Sequence, residues 1–177
     1  MLFDLGPHLI DQALVLFGEP QKITASAFCQ RETSQVDDAF DVCLVYPPLR
    51  APLRASIIAF APGPHFLIHG TKGSFMKLGM DTQEERLRGE GKDWGEDWGE
   101  DPEDLWGTLS LVGGASRKVK TAREDYRGFY ANVRDAIEKD VALDVTPEAA
   151  LRAMRALLLP HKSSREGRTV RWNEEPE

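Results

Sequence analysis

Apolar residues near the start of the chain recur at helical spacing. Leu9, Ile10, Ala13, Leu14, Leu16 and Phe17 form one stripe, and Gly18 and Pro20 follow it as a stop signal. Asp4 is the expected N-cap of this helix, with Pro7 in its first turn. The pattern then changes to period two. Ile23, Ala25, Ala27 and Cys29 alternate with polar residues up to Arg31, and Phe40, Val42, Leu44 and Tyr46 do the same up to Pro47-Pro48. Leu53 to Phe60 is a third run, closed by Pro62-Gly63-Pro64. His65 to His69 and Ser74 to Leu78 pair across Gly70-Thr71-Lys72-Gly73. Loops this short leave no room for crossovers, which predicts an antiparallel meander.

Beyond it, Asp81 to Leu87 reads as a short helix. A segment dense in glycine and acid follows, with Trp94, Trp98 and Trp106, in which Asp93-Trp94-Gly95-Glu96 is repeated at once as Asp97-Trp98-Gly99-Glu100. The tryptophans either wall or lid a substrate pocket, stacking on a sugar ring, or anchor an acidic surface loop to the sheet. Gly107 to Val112 and Lys118 to Ala122 are two more strands around Gly113-Gly114-Ala115-Ser116. Asp125 starts a second long helix with Phe129, Val133, Ala136 and Ile137 as its apolar stripe. Tyr126 and Tyr130 lie one turn apart on it, either packing on the sheet or presenting a hydroxyl to a cleft. Thr146-Pro147-Glu148 opens a third helix, with Thr146 as N-cap. Its buried side is Ala150, Met154, Leu157 and Leu158, and Pro160 is expected to kink or end it. Arg168 to Trp172 adds an edge strand. The fold class expected is α+β: an open, mostly antiparallel sheet with the helices on one face.

With 177 residues, 41% of them hydrophobic, residues 1–177 are expected to form a single domain with a sizeable core. The net charge of -7 argues against non-specific nucleic-acid binding, which needs a basic face. No apolar run has the length of a membrane span and no signal-peptide pattern is present, so a cytoplasmic location is expected. There, Cys29 and Cys43 read as buried free thiols rather than a disulfide.

The candidate chemistry lies in Asp4-Leu5-Gly6-Pro7-His8-Leu9-Ile10-Asp11. Asp4, His8 and Asp11 are four and then three residues apart, which is one face of a helix. A histidine between carboxylates can exchange protons near neutral pH. The same residues also suit a helix N-terminus carrying favourable acids and a satisfied histidine. A metal site is a third reading, but it has no fourth ligand at a recognisable spacing. No residue is assigned to a metal. His65, His69, His161 and Lys72 read as structural or surface residues.

The Asp-x-x-x-His-x-x-Asp pattern, the apolar helix and Phe17-Gly18-Glu19-Pro20 resemble the start of the C-terminal domain of the Gfo/Idh/MocA oxidoreductases, the glucose–fructose oxidoreductase and inositol dehydrogenase relatives. The similarity continues in Gly70-Thr71-Lys72-Gly73-Ser74-Phe75, in Asp125-Tyr126-Arg127-Gly128-Phe129-Tyr130 and in Ser163-Ser164-Arg165-Glu166-Gly167-Arg168-Thr169-Val170. The resemblance implies an NAD- or NADP-dependent dehydrogenase acting on a sugar, polyol or related hydroxyl compound. It implies Asp4 and His8 as catalytic residues, working with a lysine of the family's Glu-Lys-Pro segment. Asp11, Tyr126 and Trp94 are the candidate substrate contacts. A homodimer through the open sheet face is implied as well. The family's first domain, a Rossmann domain that holds most of the cofactor, has no counterpart here. No Gly-x-Gly-x-x-Gly occurs, Gly113-Gly114 lies between strands, and Glu138-Lys139 is followed by Asp140. The chain is therefore expected to be the second half of such an enzyme, with no cofactor-binding residues of its own, and inactive alone. The competing reading is a non-catalytic binding or assembly module with the same fold.

Overall fold

A computed structural model describes residues 1–61, 63–89 and 95–176. Its elements are α1 (Leu2–Phe17), β1 (Lys22–Phe28), β2 (Ala39–Val45), β3 (Arg50–Ser56), β4 (Phe66–Gly70), β5 (Gly73–Lys77), α2 (Gln83–Arg88), a 3-10 turn (Glu103–Leu105), β6 (Gly107–Leu111), β7 (Ser116–Val119), α3 (Tyr126–Lys139), α4 (Pro147–Glu166) and β8 (Val170–Arg171). The α+β class and the antiparallel pairing stand as expected. The strands form two four-stranded sheets, ordered β3-β2-β1-β8 and β4-β5-β6-β7, rather than one. The chain divides into two compact units, Met1–Phe60 with Val145–Glu177, and Ala61–Asp144.

The break between the sheets has a local cause. Tyr46 N–H donates to the Leu49 carbonyl at 2.9 Å, so the turn around Pro47-Pro48 takes only four residues. Pairing resumes at once, with Arg50 opposite Val45, and runs out at Ser56 opposite Ala39. The third strand thus lies earlier than the Leu53 to Phe60 run. Residues 57–60 turn instead, with Ala59 N–H on the Ser56 carbonyl. Ile57, Ile58 and Phe60 are left exposed.

In the first unit, alternation sorts each strand into two faces. Ile23, Phe40, Val42, Leu44 and Ala51 turn inward and pack with Leu2, Ile10 and Ala13 of α1 and Ala156, Leu157 and Leu159 of α4. The other face carries Lys22, Thr24, Ser26, Asp41, Arg50 and Arg54, with an Arg54–Asp41 ion pair. Phe28, Val45 and Pro52 lie on this same face, so it is mixed in character, while α1 and α4 cover the opposite, apolar side. Cys29 lies just beyond β1 and is exposed, and Cys43 is half-buried on the mixed face. Both are free thiols, but they are not the buried pair expected. The Tyr46 hydroxyl donates to the Gly18 carbonyl at 3.1 Å, tying the end of α1 to the sheet. Burial pushes its pKa up to about 12.

Helix α4 runs through Pro160 to Gly167, which takes the left-handed conformation at φ 64°. Its later half is held by strand β1. Only Lys22 and Ile23 pair with the short β8, which leaves the N–H groups of Ala25 and Ala27 facing α4. These donate to the Ser163 and Ser164 hydroxyls at 2.9 and 2.8 Å, and Ser163 Oγ donates to the Arg168 carbonyl at 2.6 Å. These bonds outweigh the helix-breaking tendency of proline that the sequence pattern emphasised. Ser163→Ala should therefore destabilise the chain by about 1–3 kcal/mol in urea unfolding, since it strips a buried N–H and a carbonyl of their partners. A loss below a few tenths would mean water replaces the hydroxyl.

The second unit differs more from expectation. The stripe Phe129, Val133, Ala136 and Ile137 does lie on one side of α3, with Asp125 as N-cap accepting from Arg127 N–H. No residue of α3 is buried, however, and Ile137 is 80% exposed. Helices α1 and α4 pack on the first sheet and α3 belongs to the second unit, so the expectation of all three long helices on one face of one sheet is corrected. Amphipathicity fixes which side of a helix is apolar, not what that side rests on.

Candidate functional site

Helix α1 begins at Leu2, earlier than Asp4. Its first N–H groups are engaged by Asp37, from the β1–β2 connection. The carboxylate accepts from Leu2 N–H at 2.6 Å and lies 3.0 Å from the Met1 nitrogen. A distant carboxylate supplies the cap, and Asp4 becomes the third residue of the helix, where its charge still favours the positive end. Pro7 then lies inside the helix. The neighbouring Asp38 is buried and closes the β1–β2 loop, accepting from Gln30 N–H at 2.6 Å and from Arg31 Nε at 2.9 Å. The Gln30 N–H and then the Arg31 guanidinium hold its carboxyl well below the usual carboxylate range. Nothing in local periodicity pointed to Asp37 or Asp38. The only signal was an acidic pair placed just before a strand.

The inward residues of α1 are Leu2, Gly6, Ile10 and Ala13. At about 100° per residue, Asp4, His8, Asp11 and Val15 lie on the opposite side. All four are exposed. Among the described residues, no hydrogen bond or ion pair engages the side chains of Asp4, His8 or Asp11. The face is thus a line of three ionisable groups, with the half-exposed Phe3 and Leu5 to either side. Such a line can orient and move protons for a molecule laid against it. Among the described residues, no group of three or more His, Cys, Asp or Glu side chains is arranged to hold a metal ion.

Tyr126 belongs to the second unit. Its N–H donates to Gln83 Oε1 at 3.0 Å. The Asp81 carboxylate beside its hydroxyl, ahead of burial, pushes its pKa up to about 12. Asp81 also accepts from Gln83 N–H at 2.9 Å and from Gln83 Nε2 at 3.2 Å. Gln83 is completely buried. The Tyr126 ring lines a shallow groove of about 250 Å³ with Met80, Glu84 and Arg88. Trp94 lies outside the described residues. Trp98, of the second repeat, is 0% exposed, with the Arg86 guanidinium 5.5 Å from its ring centroid. Its carbonyl accepts from Arg123 Nε at 2.8 Å. Trp106 donates from Nε1 to the Asp101 carbonyl at 2.9 Å. Trp98 and Trp106 are thus anchors of the acidic segment. The site residues fall in two units: Asp4, His8 and Asp11 share one helix face, and Tyr126 lies in the other unit.

The second unit also holds a charge cluster that the sequence did not reveal. Lys77 Nζ lies 2.6 Å from Asp101 Oδ2 with both groups largely buried, and it donates to the Leu105 carbonyl at 3.0 Å. Glu124 sits close enough to feel Asp81, Asp101 and Lys77. Burial first, then the two aspartates, raise its pKa above the ordinary 4.5. A raised carboxyl pKa means the protonated form stabilises the fold below the ordinary value, and this contribution is lost as pH rises through the folded one. Glu124→Gln should therefore unfold at a higher temperature than the parent at neutral pH, by no more than the ~0–1 kcal/mol typical of exposed charges. The gain should fade below about pH 4. An equal gain at every pH would assign the effect to something other than ionisation.

Residues 1–172 match the family described as "Oxidoreductase family, C-terminal alpha/beta domain", that of Gfo/Idh/MocA. The chain belongs to the Gfo/Idh/MocA oxidoreductase family. It is 37% identical over 172 residues to scyllo-inositol 2-dehydrogenase (NADP(+)) of Bacillus subtilis (strain 168), covering 96% of this chain and 48% of that protein. An oxidoreductase of Escherichia coli (strain K12) is 36% identical, covering 95% and 49%. Among solved structures, an oxidoreductase of Bacillus subtilis superposes with a TM-score of 0.90 at 35% identity, over 96% of this chain and 49% of that one. One from Klebsiella pneumoniae gives 0.90 at 32%, over 99% and 49%. The chain spans about half the length of the curated Gfo/Idh/MocA relatives it matches.

Proposed function

We propose that this Gfo/Idh/MocA domain supplies the substrate surface and the proton-transfer residues of an NAD(P)-dependent oxidoreductase acting on a sugar, polyol or related hydroxyl compound. The observation that carries the reading is the line Asp4–His8–Asp11 on the outward side of a helix whose other side is buried. The family membership and the similarity to an inositol dehydrogenase support it. In this reading His8 takes or returns the hydroxyl proton. Asp4 orients the imidazole or bonds a substrate hydroxyl, and Asp11 one turn on bonds another. Tyr126 and Trp94 are assigned as further substrate contacts. NAD or NADP would supply hydride exchange at the carbinol carbon.

The chain's own residues do not fit a dinucleotide cradle. Gly113 and Gly114, at φ 97° and 90°, form the tip of the β6–β7 hairpin and not a strand-to-helix turn. The cofactor is accordingly assigned to a nucleotide-binding domain outside these 177 residues. Self-association is assigned to the face of the first sheet opposite α1 and α4, which carries both charged and apolar residues. Among the described residues no helix is long and apolar enough to cross a membrane. We assign the protein to the cytoplasm.

The test joins this chain to its nucleotide-binding domain and follows nicotinamide absorbance with a panel of polyols and sugars. Turnover of at least one of them is the expected result. Absence of turnover with either NAD or NADP would leave the reading of a non-catalytic module.

A further inference from the structure

We propose Gln83 as a positioning residue that holds the Tyr126 hydroxyl at the groove its ring lines, so that the substrate contact made there depends on it. The proposal rests on the assignment of Tyr126 under the function proposed above and adds what aims that side chain. Of the six residues of α2, Gln83 alone is buried, and it is buried completely. Its amide oxygen accepts from Tyr126 N–H at 3.0 Å. Its amide nitrogen donates to Asp81 Oδ1 and Oδ2 at 3.2 and 3.3 Å. The Asp81 carboxylate in turn lies beside the Tyr126 hydroxyl. One amide therefore ties Tyr126 at both ends, at its backbone and, through Asp81, at its ring oxygen. The ties also fix which way the amide points, because a backbone N–H needs the oxygen and a carboxylate needs the nitrogen.

Packing does not hold this side chain. No residue of α3 is buried, and Tyr126 is 42% exposed. Polar ties place the start of α3 instead. Arg123 Nε donates to the Trp98 carbonyl at 2.8 Å and Glu124 N–H to the Gly99 carbonyl at 3.1 Å, which fixes the chain ahead of the helix. At Tyr126 itself the tie comes from Gln83. A methionine would fill much the same buried volume without the cost of desolvating an amide, so the value of the amide lies in its two partners. A glutamate could accept from Tyr126 N–H but, once ionised, could not donate to Asp81. Asp81 and Tyr126 both line the groove, beside the Glu84–Arg88 ion pair at 2.6 Å. A phenol held beside a carboxylate turns its proton to it and leaves its lone pairs to accept from a substrate hydroxyl.

The test is steady-state kinetics of the joined protein with whichever polyol or sugar of the panel it turns over fastest. Gln83→Met should raise KM by about 3–10-fold, the equivalent of one lost hydrogen bond, with kcat within about twofold of the parent. In the Tyr126→Phe background, which lacks the hydroxyl, the same substitution should change KM by less than about twofold. Asp81→Ala, at the half-buried carboxylate, should show the same rise and the same loss of effect in that background. It decides the matter should Gln83→Met not fold. A folded Gln83→Met protein of parental KM, beside a Tyr126→Phe protein of raised KM, would overturn the positioning role and leave the proposed function intact. An equal rise in KM with and without the hydroxyl would reduce Gln83 to support of the fold and overturn the role as well. A parental KM in Tyr126→Phe would withdraw the substrate contact, and the inference with it. An unsubstituted joined protein that turns over nothing would sink the proposed function and the inference together.

Discussion

In the joined two-domain protein, His8→Ala should lower kcat by about 10²–10⁴-fold, the range for loss of a positioned general acid–base. His8 is exposed on the outward side of α1. The substitution should therefore leave the thermal midpoint within the roughly ±0.5 kcal/mol scatter of surface changes. The pH profile is the second readout. If the imidazole exchanges the proton, kcat/KM depends on pH through it, and the variant should lose that dependence. An unchanged rate in His8→Ala would remove the histidine from the chemistry and leave the bland reading of a helix terminus with favourable acids. A large loss in both rate and midpoint would mark the residue as structural.

The second large effect is expected at Trp98. Its side chain is completely buried in a unit with few other large buried groups. Trp98→Ala should cost about 3–5 kcal/mol, the range for truncating a buried aromatic. Urea unfolding followed by near-ultraviolet circular dichroism measures it. The adjacent Gly99 has φ 74°, and a Cβ there would run into the Glu124 carbonyl, so Gly99→Ala should also destabilise the unit. Both positions fix the segment that leads from the acidic repeat into the β6–β7 hairpin. A Trp98→Ala protein of parental stability with a raised KM would restore the pocket-wall reading for this tryptophan. Its repeat partner Trp94 keeps the assignment as a substrate contact, testable by the same comparison of KM and stability.

What the sequence determined by itself follows from short-range physics. Period-two alternation placed Ile23, Ala25 and Ala27 on one side of β1 and Phe40, Val42 and Leu44 on one side of β2, because successive strand residues must point to opposite faces. Capping chemistry placed Thr146 and Asp125 at helix starts and Gly18 at a helix end. Helical spacing alone set Asp4, His8 and Asp11 in line, and the order of motifs carried the family resemblance. Tertiary structure decided what distant groups supply. Asp37 accepts from the Leu2 N–H of α1, and the N–H groups of Ala25 and Ala27 bond α4 beyond Pro160. A four-residue turn shifted β3 and ended the first sheet at Ser56. Burial enclosed Trp98, and it left the stripe of α3 uncovered. Periodicity reports which residues share a face. Whether that face is covered depends on surfaces far away in the chain, which no local pattern encodes.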